Sequence, residues 1–415
     1  MDFSELATYR RPIEAEIARQ YATQRRRATP TVRPYLDLLE EFTLRGGKRF
    51  RAICLLAGYH IATGRDPRPV VAAAAAMEHF QSWMLIHDDI IDHGEERRGG
   101  PTVHRRLAAE HAQAHAEGSA EDYGTGIGIT VGDLEEPFTV DALLSVPVPA
   151  PSRLAALAEY VRMTRLTAYG QLLDVRNGTL DPGHVTEKDV LLVHELKSAI
   201  YTVVAPLRIG ALLAGVPERR LGDLSAIGTD LGIAFQLRDD VLGAGFDAGG
   251  SGKSSNDLVE GKRTLLVVRA WGATDDAGRD RLRRVLGNAH ASAEDVERAR
   301  ELIRTTGSLD YSEQRIERLA RRAFARLRKS RTIRRAGKPL VAEIGERLDI
   351  AGSEEFLRRG EIAEDPFLFE ALDVALSEQA IVGQSPSFCA SHPGSKHQEW
   401  TENGQDKKGY KTAGL

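Results

Sequence analysis

Phe80-Gln-Ser-Trp-Met-Leu-Ile-His-Asp-Asp-Ile-Ile-Asp92 is an almost unbroken apolar run that ends in three carboxylates, Asp88, Asp89 and Asp92. Nothing in it breaks a helix, and the alanines from Ala72 to Ala76 before it favour one. On a helix, Asp88 and Asp92 stand at i and i+4 and share a face with Gln81 and Met84. An unpaired charge is costly to bury, so two carboxylates on an apolar helix need cations. One reading is an exposed acidic helix end with Arg97 and Arg98 as counter-ions. The other is a Mg2+ site, because this hard cation takes one or two carboxylates together with substrate phosphates.

A second stretch repeats the pattern. Gly232-Ile-Ala-Phe-Gln-Leu-Arg-Asp-Asp-Val-Leu-Gly243 is apolar and also ends in paired aspartates. Gln236, Asp239 and Asp240 fall at i, i+3 and i+4, on one stripe. Two such helices, far apart in sequence, can face each other across one cavity. Mg2+ between them would hold a diphosphate.

Further pieces complete a series. In order they are Gly46-Gly-Lys-Arg-Phe-Arg51, His87-Asp-Asp-Ile-Ile-Asp92, Arg97-Arg-Gly-Gly-Pro-Thr102, Gly170-Gln-Leu-Leu-Asp174, Lys197-Ser198, Phe235-Gln-Leu-Arg-Asp-Asp240 and Gly261-Lys-Arg-Thr264. In this order and spacing the chain resembles the trans-isoprenyl diphosphate synthases, the polyprenyl synthetase family, and within it the short-chain farnesyl and geranylgeranyl type. The likeness runs over roughly residues 30 to 350.

The resemblance implies an all-α fold, an isoprenoid-synthase-type helical bundle around a deep central cavity. It implies head-to-tail prenyl transfer from an allylic diphosphate (dimethylallyl, geranyl or farnesyl) to isopentenyl diphosphate, with Mg2+ as cofactor and a homodimer as the assembly. Asp88, Asp89, Asp92, Asp239, Asp240 and Lys197 would be catalytic, with Asp88, Asp92 and Asp239 on the metal. Lys48, Arg51, Gln81 and Arg98 would hold isopentenyl diphosphate. Lys197, Arg97 and Lys253 would neutralise the allylic diphosphate, with Ser198, Gln236 and Lys262 as further substrate contacts. Released diphosphate can take the proton, so no protein base is required. Two alternatives remain beside this reading. A class I terpene cyclase shares the aspartate chemistry, but needs no second diphosphate site such as Lys48, Arg51 and Arg98 suggest. A non-catalytic subunit of a heteromeric synthase would be expected to lose its aspartates, and all five are present.

Residues of the same pieces can also be read plainly. Lys48, Arg49 and Arg51 beside a Gly-Gly turn can be a solvated cap, and Asp174 a solvated helix end. A lysine on an apolar helix needs a partner, which gives Lys197 a reason to meet phosphate. Gly124-Thr-Gly-Ile-Gly128 follows no predicted strand, so a nucleotide-binding loop is rejected, and Pro137 is expected to interrupt the helix there. The family's second aspartate motif ends in Asp where this chain has Gly243; Asp247 or water is the expected substitute. Trp83 and Met84 are the chain-length candidates for a short product. Helical geometry brings Met84 near the Asp88 stripe but swings Trp83 about 140° away, whereas the resemblance uses both. Simple packing against a neighbouring helix is the alternative for Trp83.

Composition sets the outer limits. The 415 residues carry a net charge of -4, which gives no basic field for nucleic acid. Two cysteines, Cys54 and Cys389, imply no disulfide framework and suit a reducing cytoplasm. Met1-Asp-Phe-Ser-Glu5 has no signal-peptide character, and no uninterrupted apolar run reaches membrane-spanning length. The expected organisation is an N-terminal helical extension over 1–29 and a catalytic domain over 30–350. A C-terminal extension over 351–415 follows, with disorder expected from about 383.

Overall fold

The computed structural model describes residues 1–246 and 256–348. The Lys253 and Asp247 positions, the glycine-rich loop around them and the C-terminal extension lie outside the described residues. Apart from one two-stranded hairpin, the described residues are helical, the all-α fold that the resemblance implies. The stretch from Phe80 forms the end of helix Val71–Ile91, here the first acidic helix, and Asp92 caps it. The alanine run gives that helix a small-residue face, and Ala73 to Met77 are completely or almost completely buried. The second acidic helix is Gly222–Gly243. Between them in sequence runs the lysine helix, Glu187–Val193 continued by His194–Val204 and Ala205–Leu213.

The middle of the lysine helix is wound as a π-helix over His194–Val204. Such widened turns are rare and cluster at functional sites. This one carries Lys197 and Ser198, and no sequence period announces it. The lysine helix is also the one described helix long and apolar enough to cross a membrane, but 67% of its most apolar window is buried inside the fold.

The first acidic helix is packed by Phe50–Thr63, Ala120–Asp133, Glu135–Leu144 and Arg10–Arg27. The second lies between the π-helical segment and Ser308–Lys329. That last helix reads as charged, yet Ile316, Leu319, Ala323, Phe324 and Leu327 form a buried stripe on it. The N-terminal segment 1–29 likewise shares the core. Ile13, Ile17 and Tyr21 recur every fourth residue on Arg10–Arg27, and all three are fully buried.

Three stretches take local forms that bear on these readings. Gly124 and Gly128 lie within helix Ala120–Asp133, where they let it approach His104 closely. The interruption comes at Leu134, before Pro137, which sits in the first turn of the next helix, Glu135–Leu144. The segment after Asp92 contains a minimal hairpin, Glu96–Arg97 paired with Gly100–Pro101. Its turn residues, Arg98 and Gly99, both have positive φ, as the tightest hairpin turns require.

Candidate active site

Asp88 is tied to two other helices. Its Oδ1 accepts a hydrogen bond from Gln171 Nε2 at 3.2 Å and from Lys197 Nζ at 3.3 Å. Lys197 also donates to Asp174 Oδ2 at 2.6 Å, so Asp174 is more than a solvated helix end. A glycine makes this possible. A Cβ at Gly170 would run into the backbone of Lys197, so only glycine lets helix Ala150–Gly178 come this near. Burial alone would lower the Lys197 pKa, but the Asp174 and Asp88 carboxylates outweigh it and raise it.

Asp89 points elsewhere. It is 2% exposed and takes Arg97 Nε and Nη2 on Oδ1 at 2.6 and 2.5 Å. Asp89, expected to be catalytic, and Arg97, expected on phosphate, are thus paired with each other. The pair ties the hairpin to the helix end. Asp92, at the end of the helix, is exposed as a residue, yet desolvation of its carboxyl and the Asp88 charge push it up to about 6.

On the second acidic helix, Asp240 is buried and accepts from Gln236 Nε2 at 3.0 Å. Gln236 Oε1 in turn accepts from Ser198 Oγ at 2.7 Å, so these two expected substrate contacts engage each other. His194 Nε2 lies 3.1 Å from Asp240 Oδ2, out of line for a hydrogen bond, and that oxygen has no hydrogen-bond partner. Asp239 is half-buried beside it.

The space beside Gly243 is taken by Asp257, whereas the Asp247 position lies outside the described residues. A Cβ built on Gly243 would overlap the Asp257 carboxylate. Lys262 donates to Asp257 Oδ1 at 2.9 Å and pairs with Glu260 at 2.8 Å. Burial and the nearby Asp240 charge push Asp257 up to about 6, although Lys262 pulls the other way. Burial works against the Lys262 ammonium, but Asp257 and Glu260 overcome it and raise the pKa. Asp257 had no signal in the sequence, because a glycine-rich stretch separates it from the helix it serves.

Lys48 is exposed at the tip of the Gly46-Gly47 turn. Arg51 donates to Thr202 Oγ1 at 3.0 Å and lies over the Tyr201 ring, 4.4 Å from its centre. Arg98 rests on the two glycines and donates to the Arg45 carbonyl at 3.1 Å. Gln81 is buried, and its side-chain carbonyl oxygen has no partner.

The sequence that carries these two acidic helix ends and the cationic turn matches a family model described as polyprenyl synthetase over residues 33–303. The chain belongs to the polyprenyl synthetase family. A geranylgeranyl diphosphate synthase of Methanosarcina mazei is 33% identical over 270 residues, 64% of this chain and 74% of the relative. A geranylfarnesyl diphosphate synthase of Aeropyrum pernix is 31% identical over 279 residues, 65% of this chain and 79% of the relative. Among solved structures, a geranylgeranyl pyrophosphate synthase of Corynebacterium glutamicum, complexed with isoprenyl diphosphate and magnesium, superposes with a TM-score of 0.77. It is 30% identical, and the match covers 84% of this chain and 99% of that one.

As a polyprenyl synthetase the chain should accommodate Mg2+, and its donors fit. They are carboxylate oxygens, the ligands this ion prefers, and one of them, Asp240 Oδ2, is buried without a hydrogen bond. Among the described residues, no group of three or more His, Cys, Asp or Glu side chains is close enough to hold a metal alone.

The chain-length candidates sit one layer deeper. Trp83 packs edge-on against Phe80 and His87, with ring centres 5.9 and 6.2 Å apart, and its indole N–H lies 3.4 Å from Asp133 Oδ1. Its ring therefore leans on helix Ala120–Asp133. Met84 is half-buried against the core. Phe80 is 1% exposed and touches both Tyr160 and Tyr201, at 6.0 and 5.8 Å between ring centres.

Proposed function

We propose that this polyprenyl synthetase joins isopentenyl diphosphate to an allylic diphosphate, giving a short-chain trans-prenyl diphosphate and free diphosphate. The observation that carries the reading is Lys197. Its ammonium is held between Asp88 and Asp174, facing the carboxylates of the first acidic helix. An allylic diphosphate arriving there would find Lys197 already charged and desolvated, which strengthens its pull on the leaving group. Arg97 and Lys262 lie at the same end, each held by carboxylates, Arg97 by Asp89 and Lys262 by Asp257 and Glu260. Asp88, Asp92 and Asp239 would hold Mg2+, which neutralises diphosphate charge as the C–O bond breaks. Lys48, Arg51, Gln81 and Arg98 would hold isopentenyl diphosphate so that its double bond faces the allylic carbon. The new C–C bond leaves a cation that loses a proton to the departed diphosphate.

A cyclase is not favoured, because the Gly46–Arg51 turn offers cations for a second diphosphate. A non-catalytic subunit is not favoured either, since Asp88, Asp89, Asp92, Asp239 and Asp240 all remain. We assign a homodimer through helix Ala150–Gly178. Leu154, Val161 and Leu172 are 62%, 53% and 69% exposed and fall within about 20° of one line at 100° per residue. Exposed apolar side chains on one line supply the apolar contact that a dimer face uses. Cys54 is free and buried, which is compatible with a cytoplasmic enzyme.

The deciding experiment incubates the purified full chain with Mg2+, isopentenyl diphosphate and each of dimethylallyl, geranyl and farnesyl diphosphate. Mass spectrometry then identifies the products. Elongation of at least one primer, lost on chelation of Mg2+, is expected. Failure to elongate any of the three overturns the reading.

A further inference from the structure

The turn that presents Lys48 is held by a residue with no assigned role. Arg49 is 2% exposed, and it has the left-handed conformation at φ 52° and ψ 32°, which a non-glycine residue adopts at a cost. It directly precedes helix Phe50–Thr63, which carries Arg51. Its guanidinium uses every nitrogen. Nη1 donates to the Thr43 carbonyl at 2.8 Å and to Glu78 Oε2 at 3.0 Å. Nη2 donates to the Leu44 carbonyl at 3.1 Å, and Nε to Glu14 Oε1 at 3.2 Å. One side chain thus gathers the end of helix Arg33–Leu44, the first acidic helix through Glu78, and the N-terminal helix through Glu14.

The geometry fixes more than stability. Gly46 and Gly47 have φ of 61° and 90° and set no side chain of their own against neighbours. Arg98 covers them from outside, and Arg49 anchors the turn from within. Between these two clamps only Lys48 projects freely to solvent. A planar five-donor fork is the side chain that can satisfy two carbonyls and two carboxylates at once; an ammonium cannot. Glu14 belongs to residues that precede the matched region 33–303. It also receives Arg10 at 2.9 Å, which holds its carboxylate in place.

We propose that Arg49, locked between Glu14 and Glu78, is a positioning residue for isopentenyl diphosphate. It sets the register of Lys48 and Arg51 on one side of the turn, and the N-terminal helix takes part through Glu14. This rests on the function proposed above, with Lys48 and Arg51 as ligands of that substrate. Arg49 touches no substrate itself. Its loss acts through the turn, so the two substrates respond differently.

The test compares Glu14→Gln, Arg49→Lys and the parent in steady-state kinetics, with calorimetric titration of isopentenyl diphosphate alone. Expected is a rise in KM and Kd for isopentenyl diphosphate of about tenfold for Arg49→Lys and about threefold for Glu14→Gln. The KM for the allylic primer should stay within about twofold of the parent. Glu14→Gln leaves Arg49 its other three contacts and serves as the readout should Arg49→Lys fail to fold. Equal rises in both KM values, or a lowered melting temperature with both KM values at the parent's level, would show a purely structural role and overturn the inference. An inactive parent that binds neither substrate would instead sink the proposed function.

Discussion

Asp257 occupies the space that a side chain at Gly243 would need. The second acidic helix therefore ends without a third carboxylate of its own, and one arrives there from a different helix, Asn256–Val259. Lys262 holds it there. Gly243→Asp forces two carboxylates into one site beside Asp240. The variant is expected to lose about 1–3 kcal/mol of stability from overpacking, more without Mg2+ than with it. The swap Gly243→Asp with Asp257→Gly should regain most of both stability and turnover. Thermal melts with and without Mg2+ and inorganic diphosphate check this. A single Gly243→Asp variant with the parent's melting temperature contradicts it.

Asp88→Ala should abolish turnover and keep the fold. Lys197 retains Asp174 at 2.6 Å, so its half-buried ammonium still has a partner. Catalysis loses a ligand that acts on charge developing at the leaving group, and kcat should fall at least about a hundredfold. Turnover within about tenfold of the parent, with unchanged circular dichroism, removes Asp88 from the metal set.

Acid should weaken the response to Mg2+. Asp92 and Asp257 are both pushed up to about 6. The folded chain thus binds protons more tightly than the unfolded one, so without metal their ionisation lowers stability as pH rises from about 4 through 6. Mg2+ with diphosphate relieves that repulsion only when the carboxylates are ionised. The rise in melting temperature given by Mg2+ and diphosphate should be full at pH 7.5 and shrink below about pH 6. A response of the same size at pH 5 shows that neither group takes part.

Leu172→Asp or Val161→Asp should break the dimer. Each puts a charge in the middle of the exposed stripe, where burial without a partner is costly. Light scattering behind size exclusion is expected to give a dimer for the parent and a monomer for either variant. A monomeric parent, or dimeric variants, places the contact elsewhere or removes it.

The fold was legible because the two aspartate motifs sit on apolar runs too long and too unbroken for strands, and because their i, i+4 spacing is a helical period. Spacing alone put Asp88 with Asp92, and Asp239 with Asp240, on helical stripes. What stayed hidden depended on tertiary contact. Asp89 and Arg97 neutralise one another only because the hairpin folds back on the helix. Ser198 and Gln236 belong to neighbouring helices, and nothing local says they will meet. The N-terminal helix has too few apolar residues to look like core, yet Ile13, Ile17 and Tyr21 line one edge and suffice. Arg49 looked like one more cation beside a turn, and its burial shows only in the assembled fold.

Product length should follow Phe80 more than Trp83. The sequence expectation rested on Trp83 and Met84, the residues about one turn before Asp88. The Trp83 ring leans toward Asp133 on a neighbouring helix, where it supports Phe80 from the side. Phe80 is the ring that joins Trp83, Tyr160 and Tyr201, from three different helices, in one aromatic layer below the aspartates. A prenyl chain growing away from Asp88 along this helix meets that layer before it can extend further. Phe80→Ala removes the central ring and should shift the main product at least one isoprene unit longer, at a stability cost of about 3–5 kcal/mol. Trp83→Ala only loosens the layer and should give a mixture of parent and longer products, with Met84→Ala equal to it or weaker. Chromatography of the dephosphorylated products after a fixed turnover reads the outcome. If Phe80→Ala folds and returns the parent's distribution, the aromatic layer does not limit the chain.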